Sequence, residues 1–551
     1  MMPQCDPVNQ EQIYPRPLSP ISEVVSSHDD APRSPPALVL PDELLSNIFN
    51  HCLPCVATPK EIQYGHPVID PFHPHPHAVR RSLTQVCRTW RTVATNTPTL
   101  WTTIVLGRAL KWDIDHLEKW LRYSRSCPLD VLIRPTNWHG SKARATPLLK
   151  LLRNETGRIR SFVALHIHSE ELLGIFPLDS GQITQLLSLE IFYIREFSRG
   201  PMAIGDDDLE FSLDFSMGLV YTPKLQYLEL AEATLVTSFM TTSFMPVQWL
   251  VLSASKYPVP YSTYLQFLTC CPNLSSLWFF SQGPFNGLVP MWPETRHTLP
   301  ALHDLRFFAN HTPESMLFLR SLHLPSLLRL RFGQYDTTRH PADFVLQVFW
   351  HLFAETAATL EYVQLGHGSL PIGDNLAGPL LRSMTNLRTL VICEACLKPD
   401  VLECLIPEPG TPPEQWPCPR LAFLTLDSVD IEGDALPRLI NARPPLSSQE
   451  RDRVYRDNLG NSLKQEDSGG GGGGGLKGGE PHKVVEGEDN DRIPPKMWDD
   501  AASVQTASQQ YVTSGRLVFI GIFHCCILEE KTMAALVDLE RIYGDVIDFR
   551  R

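Results

Sequence analysis

One short apolar pattern recurs along most of this 551-residue chain and constrains its fold more than any other feature. An apolar residue is followed by two others, a second apolar residue, one other and a third apolar residue. The pattern fits ten places, which begin at Phe162, Leu186, Leu225, Val247, Leu274, Leu302, Leu327, Leu360, Leu387 and Leu421. It spans six residues and then breaks, whereas an amphipathic helix would keep its period over several turns. The spacing therefore predicts a short strand that is repeated at intervals of 22 to 34 residues in most cases.

Several copies of the pattern continue in a regular way after the predicted strand. A small or compact residue follows, at Ala233, Gly368, Ala395 and Val429, and an apolar residue comes two positions later, at Leu235, Leu370, Leu397 and Ile431. This arrangement resembles a leucine-rich repeat, although the Asn that is usual at the turn is replaced by small residues. The resemblance implies an α/β fold over residues 159–440: a solenoid of about 11 repeats with short parallel strands and helical or irregular returns.

A glycine-rich segment interrupts the array near its end. Residues 441–510 include seven consecutive glycines in a charged, Ser-rich setting, and such a composition cannot bury apolar surface. We therefore expect a flexible insertion there. The pattern resumes at Leu517, Ile520 and Ile522, so residues 511–551 are predicted to form a terminal repeat that caps the array.

The N-terminal part of the chain has a different, helical periodicity. Residues 1–37 are polar and Pro-rich and are predicted to be a disordered tail. The segment LPDELLSNIFNHCLP at 40–54 and the segment RSLTQVCRTWRTVATNTPTLW at 81–101 carry apolar residues at helical spacing, with a Pro/His-rich loop between them at 54–78. A helical connector is expected at 107–158, because Trp112–Tyr123 is amphipathic.

Three submotifs of this N-terminal part occur in the order found in an F-box: Leu-Pro-x-Glu-x-Leu at 40–45, Val-Cys-Arg-x-Trp at 86–90 and Leu-Trp at 100–101. Residues 38–106 therefore resemble an F-box-like domain. The resemblance implies that the domain binds the Skp-family adaptor of a cullin-based ubiquitin ligase, while Trp90 packs inside it. The implied contact residues are Pro41, Leu44, Leu45, Ile48, Phe49, Leu53, Val86 and Cys87.

The repeat strands predict a second binding surface. Residues that flank the inward positions of a strand point away from the core. Aromatic residues and arginines are enriched there, as they are in binding hot spots, at Trp249, Trp278, Phe280, Arg306, Phe308, Arg329, Arg331, Tyr362 and Phe423. The three arginines could converge on one anionic group, such as the phosphate of a phosphorylated target protein, or they could pair with nearby acids such as Asp304, Glu361 or acids of the loops. The rings could equally stack on one another under covering loops.

Charge and composition narrow the classes of partner. The net charge of −13 and the pI near 5.8 argue against nucleic acid as a partner. The longest apolar run, Leu517–Leu528, is too short to span a membrane, and the N-terminus lacks an apolar signal segment. An odd number of cysteines, 13, without a dense framework favours free thiols. We therefore expect a soluble cytoplasmic or nuclear protein.

No enzyme signature stands out in the sequence. A GxSxG elbow, a P-loop and an HExxH motif are all absent. Two CxxC pairs, Cys52/Cys55 and Cys393/Cys396, have metal-like spacing, but nothing brings them together, so neither a metal nor a cofactor is expected.

The function that these features favour is a substrate-recognition adaptor of a Skp–cullin–F-box type ligase, which is not itself an enzyme. One alternative is a leucine-rich-repeat scaffold that acts outside any ligase. A cysteine-dependent enzyme on an unusual solenoid is the other alternative.

Overall fold

The computed structural model describes most of the repeats and the N-terminal helices. The described residues are 40–53, 76–106, 111–133, 142–167, 190–196, 222–231, 246–254, 261–281, 296–309, 313–333, 351–366, 377–393, 396–397, 399–431, 434–443, 517, 519–523, 536–537, 539 and 547–550. The predicted tail at 1–37, nearly all of the Pro/His-rich loop and nearly all of the glycine-rich insertion lie outside them.

Three helices form the N-terminal part, as the periodicity predicts. They are α1 (Asp42–His51), α2 (Pro76–Gln85) and α3 (Arg88–Asn96), followed by a 3-10 helix at Pro98–Trp101. Pro41 precedes the first turn of α1, and Asp42 and Glu43 in that turn complement the positive end of the helix dipole. Helix α2 begins inside the segment that was predicted to be a loop.

Within the described residues, fourteen strands form one parallel sheet in which each strand pairs with its neighbours along the chain. They are β1 (Thr103–Leu106), β2 (Leu129–Ile133), β3 (Ile159–Ile167), β4 (Ile191–Glu196), β5 (Tyr227–Ala231), β6 (Trp249–Ala254), β7 (Ser276–Ser281), β9 (Asp304–Ala309), β11 (Arg329–Gly333), β12 (Tyr362–Gly366), β13 (Thr389–Cys393), β15 (Phe423–Asp427), β17 (Phe519–Phe523) and β18 (Ile547–Arg550). Two small parallel pairs lie beside this sheet: β8 (His297–Thr298) with β10 (Leu322–His323), and β14 (Cys396–Leu397) with β16 (Asp430–Ile431).

Helices connect many of these strands, because a parallel pair needs a crossover. They are α4 (Lys111–Tyr123), α5 (Lys142–Arg153), α6 (Tyr261–Thr269), α7 (Pro313–Arg320), α8 (Ala377–Ser383), α9 (Pro399–Glu403) and α10 (Ala435–Ala442), with 3-10 helices at Thr156–Arg158 and Pro413–Gln415. The predicted mixture of parallel strands and helices is therefore confirmed.

The apolar triplets supply the core between the sheet and the helices. From β5 onward the second and third residues of each triplet face inward in register, as Leu277, Leu305 and Leu330 do. Phe279 stacks on Phe307, which stacks on Phe332, with ring centroids 5.2 and 5.7 Å apart. Side chains that repeat in register thus build a continuous buried ladder.

The start of the sheet differs from the sequence prediction in two ways. Strands β1 and β2 precede the predicted array, and their residues are buried throughout, so they lack the alternation that marks a half-buried strand. The registers of the first two triplets were also wrong. Phe192 pairs with Leu228 and with Phe162, so Ile191, which pairs with Tyr227, lies on the opposite face from the core ladder. The triplet that fits the inward register begins three positions earlier than predicted in β3 and three positions later than predicted in β4.

Candidate protein-interaction surfaces

Helix α1 divides its apolar residues between the interior and the surface. Leu45 and Phe49 are 1% and 0% exposed, and Leu53 just beyond the helix is buried as well. Phe49 packs on Trp90 of α3, with ring centroids 5.0 Å apart. Leu45, Phe49 and Leu53 therefore stabilise the helical unit and are not on its surface, contrary to their prediction as contact residues.

The other side of α1 presents apolar side chains to solvent. Leu44 and Ile48, one turn apart, are 50% and 46% exposed, and Leu40 and Pro41 precede them on the exposed surface. We call these four residues the α1 apolar face. Helices seldom expose neighbouring large aliphatic residues unless a partner covers them.

The two further predicted contact residues lie between α2 and α3. Val86 is 59% exposed. Cys87 is half-buried, and its Sγ accepts a hydrogen bond from the backbone N–H of Trp90 at 3.4 Å, so it caps α3. Val86 can therefore contact a partner, whereas Cys87 has a structural role as well.

Arg80 fixes the N-terminal helices to the start of the sheet. This buried side chain donates from Nε to the carbonyl oxygen of Leu100 at 2.7 Å, and its Nη2 donates to the carbonyl oxygen of Thr103, the first residue of β1. Its guanidinium centre lies 5.6 Å from the rings of both Trp101 and Trp120. Burial lowers the pKa of Arg80 to about 9. Sequence reasoning missed this residue, although Pro76, Arg80 and Leu83 recur at helical spacing on the buried face of α2.

The second surface is the outward face of the sheet, opposite the core ladder. All nine residues predicted for a target-binding face lie at outward register positions: Trp249, Trp278, Phe280, Arg306, Phe308, Arg329, Arg331, Tyr362 and Phe423. Tyr362 is buried, and the other eight are half-buried. The strands thus bring them to one face, but the face is not fully open to solvent.

Aromatic rings on this face pack against one another at its N-terminal side. Trp249, Trp278 and Phe280 contact a small buried cluster of Ile191, Tyr227 and Val251. Phe280 also stacks on Phe308, with ring centroids 5.4 Å apart and planes 5° apart. The ring of Phe308 extends over Gly333 of the next strand, where a Cβ atom would lie 2.5 Å from Phe308 Cδ1. Rings on this face therefore stack on one another, which was the alternative to a face of aromatic residues that are all free to bind a target.

Two arginines alternate with aromatic rings in the middle of this face. Arg306 pairs in register with Trp278 on one side and with Arg331 on the other. The guanidinium of Arg306 lies 3.7 Å from the Trp278 ring centroid, and that of Arg331 lies 5.3 Å from the Tyr362 ring. We call Trp278, Arg306, Arg331 and Tyr362 the arginine–aromatic strip.

One carboxylate accompanies the strip. Asp304 Oδ2 lies 3.4 Å from Arg306 Nε, and it accepts a hydrogen bond from Ser276, which in turn accepts one from Trp278 Nε1. Arg329 is in register with Asp304, yet no ion pair of Arg329 or Arg331 occurs among the described residues. Glu361 lies 3.9 Å from Arg388 instead. Among the described residues, the predicted pairing with acids therefore holds for Arg306 and Asp304 alone.

Within the described residues no group of His, Cys, Asp and Glu side chains is arranged to hold a metal ion. The buried thiols of Cys271 and Cys418 have pKa values raised to about 12, above all by burial, so they are poor nucleophiles. None of the described helices is long and apolar enough to cross a membrane.

Comparison with known protein families identifies the N-terminal unit. Residues 37–107 match the family model described as F-box-like, which confirms the resemblance drawn from the three submotifs. The match spans α1, α2, α3 and β1, and it includes the α1 apolar face and Arg80. A search of curated proteins finds no significant relative of the chain.

Proposed function

We propose that this protein is a substrate-recognition adaptor of a Skp–cullin–F-box type ubiquitin ligase. Its F-box-like domain binds a Skp-family adaptor, and the outward face of its sheet binds a target protein. The observation that carries the proposal is the α1 apolar face, because it lies in the matched F-box-like domain and exposes large aliphatic side chains one turn apart on a helix whose other apolar residues are buried.

The parallel sheet supports a further part of the proposal, that the chain from β3 onward is a leucine-rich-repeat array. Each strand pairs with the next one in the chain, and the inward residues repeat the triplet spacing. Repeat proteins of this architecture offer an extended surface to a partner. The small pair formed by β14 and β16 supports the same reading, since Leu397 and Ile431 follow the triplets at the spacing of the repeat turn.

The adaptor acts by proximity and supplies no chemistry of its own. A target held on the sheet face is kept near the conjugating enzyme of the ligase, which raises its effective concentration there. A fixed connection between the F-box-like domain and the sheet favours this mechanism, and the hydrogen bonds of Arg80 from α2 to Leu100 and to the first residue of β1 support one. We place the protein in the cytoplasm or nucleus, where such ligases work.

The test is a double substitution on the α1 apolar face, Leu44→Asp with Ile48→Asp. Each side chain is about half exposed and would lose roughly 1 kcal/mol of burial in the complex. An Asp in an apolar interface adds a desolvation cost of several kcal/mol. Affinity for a purified Skp-type adaptor, measured by calorimetry, should therefore fall by more than about a hundredfold.

The matched control is Val537→Asp, because Val537 is 48% exposed and lies outside the F-box-like domain. This variant should bind the adaptor like the wild type, and all variants should keep the wild-type circular dichroism. Undiminished binding by the double variant would refute the role of the α1 apolar face. A wild-type protein that does not bind the adaptor would leave the scaffold outside any ligase as the better proposal.

A further inference from the structure

The outward face of three neighbouring strands carries more positive charge than it neutralises. In register across β9, β11 and β12, the outward residues include Arg306, Arg329 and Arg331 but a single acid, Asp304. The chain as a whole has a net charge of −13, so this local excess runs against the overall charge. Two half-buried cations in adjacent positions repel each other, and the one ion pair, of Arg306 with Asp304, leaves Arg331 without an acidic partner among the described residues. Their placement therefore points to a ligand.

The ring contacts of the two guanidinium groups do not use up their hydrogen-bonding capacity. Arg306 and Arg331 lie over the rings of Trp278 and Tyr362, and a ring contact of this kind forms no hydrogen bond with the N–H groups of a guanidinium, which donate in its plane. The Nε atom of Arg331 is buried and forms no hydrogen bond within the described part of the chain, and the buried Nε atom of Arg306 has only its 3.4 Å ion pair with Asp304 Oδ2. Asp304 Oδ1 is likewise buried without a partner there.

Burial makes the incomplete pairing of these arginines more significant. The pKa of Arg306 is lowered to about 10, first by burial and then by the charge of Arg331. Burying a polar or charged group costs free energy unless the group gains hydrogen bonds or a partner of opposite charge. An incoming oxyanion would supply both to the same pair of side chains.

We infer that Arg306 and Arg331 bind the carboxylates of an extended acidic segment in the target protein. The inference rests on the proposed function, since it names the class of target for the sheet face. A carboxylate matches the two-donor edge of a guanidinium. A phosphate matches it too, but its second negative charge raises the cost of entering this half-buried face, which Asp304 already shares.

Neighbouring residues fit the same kind of ligand. Strands in the sheet lie about 4.8 Å apart, and alternate side chains of an extended segment lie about 6.6 Å apart. A segment that runs across β9 and β11 can thus present acidic residues to both arginines from one side. Phe280 and Phe308, which stack beside the strip, offer an apolar surface to flanking residues.

The experiment uses the full chain and three fluorescent peptides with alternating residues: Glu-Gly, Gln-Gly and phosphoserine-Gly. Fluorescence anisotropy measures their affinity for the wild type and for Arg306→Gln with Arg331→Gln. The Glu-Gly peptide should bind the wild type at least about tenfold more tightly than the Gln-Gly peptide, and the double variant should lose that preference. Binding should weaken as salt is raised.

Two further variants keep the test decisive. Arg382→Gln with Arg420→Gln removes the same charge from exposed positions outside the strip and should not change Glu-Gly binding. Arg331→Lys keeps the charge but lacks the planar fork, so it should weaken binding severalfold. If the first double variant fails to fold by circular dichroism, Arg331→Lys and the Glu-Gly against Gln-Gly comparison still decide the matter.

Several outcomes would overturn the inference. Equal affinity for the Glu-Gly and Gln-Gly peptides, the absence of measurable binding, or binding that the strip variants do not change would each remove the arginines from recognition. Phosphoserine-Gly binding more than tenfold tighter than Glu-Gly binding would replace the carboxylate by a phosphate. If the wild type does not bind the adaptor but the peptides bind as expected, the ligase proposal alone is refuted.

Discussion

Arg80 offers a test of how the F-box-like domain is coupled to the sheet. Its side chain joins two backbone carbonyls, of Leu100 and Thr103, that lie on either side of the junction between the 3-10 helix and β1. Two substitutions separate the hydrogen bonds from the charge. Arg80→Met removes both, whereas Arg80→Lys keeps the charge and loses the planar fork that reaches both oxygens.

The expected magnitudes follow from the burial of this group. Burial lowers the pKa of Arg80 from 12.5 to about 9, which corresponds to roughly 5 kcal/mol for holding its charge there. Hydrogen bonds from a charged donor contribute about 1.5–3 kcal/mol each. Methionine gives up about 3–6 kcal/mol of hydrogen bonding but also removes the buried charge, so the net loss should be at most about 2 kcal/mol. Lysine retains the buried charge with one hydrogen bond fewer, and it should therefore lose about 1.5–3 kcal/mol.

Urea unfolding followed by tryptophan fluorescence can measure this difference, because Trp101 and Trp120 flank the guanidinium. Arg81 provides the control: it is the next residue of α2 and is exposed, so Arg81→Met and Arg81→Lys should each change stability by less than about 0.5 kcal/mol. A larger loss for Arg80→Met than for Arg80→Lys would refute the argument, since it would mean that the two hydrogen bonds outweigh the cost of the buried charge.

Two further predictions concern the repeats. Replacing residues 445–505 by a short Gly/Ser linker should leave the thermal midpoint within a few degrees of wild type, because β15 and β17 pair directly across the insertion and loop closure depends weakly on length; a large fall would show that the segment packs on the sheet. Gly333→Val should cost about 1–3 kcal/mol by overpacking against Phe308. Combining it with Phe308→Ala should cost less than the sum of the two, whereas strict additivity in chemical denaturation would exclude the contact.

The sequence predicted which part of the chain would be helical and where most strands would lie, because both periodicities are strong. It could not divide α1 correctly between interior and surface. Leu44, Leu45, Ile48 and Phe49 span one broad arc of the helix, and the pattern is the same whether a partner or the chain itself covers each side chain. The packing of Phe49 on Trp90 depends on residues forty positions away, which helical periodicity does not encode.

The strands missed by the sequence show a related limit. Thr103–Leu106 and Leu129–Ile133 are buried on both sides, so their apolar residues do not alternate. At the second repeat two registers fit the triplet equally well, and pairing with Tyr227 and Leu228 on the next strand selects one of them. Arg306 and Asp304 illustrate what sequence could still offer: residues two apart on one strand must share a face, and this pair does.

The same alternation separates folding from recognition on every strand of the sheet. In β9 and β11 the inward residues are Leu and Phe in strict register, and they are fully buried. The outward residues are Asp304, Arg306 and Phe308 in β9 and Arg329, Arg331 and Gly333 in β11. They differ between the two strands, whereas the inward ladder is the same. A substitution at Arg331 therefore removes charge from a surface whose strand is already held by Leu330 and Phe332, as well as by its two neighbouring strands. For this reason a loss of peptide binding in such a variant, with unchanged unfolding, would report recognition and not a damaged fold.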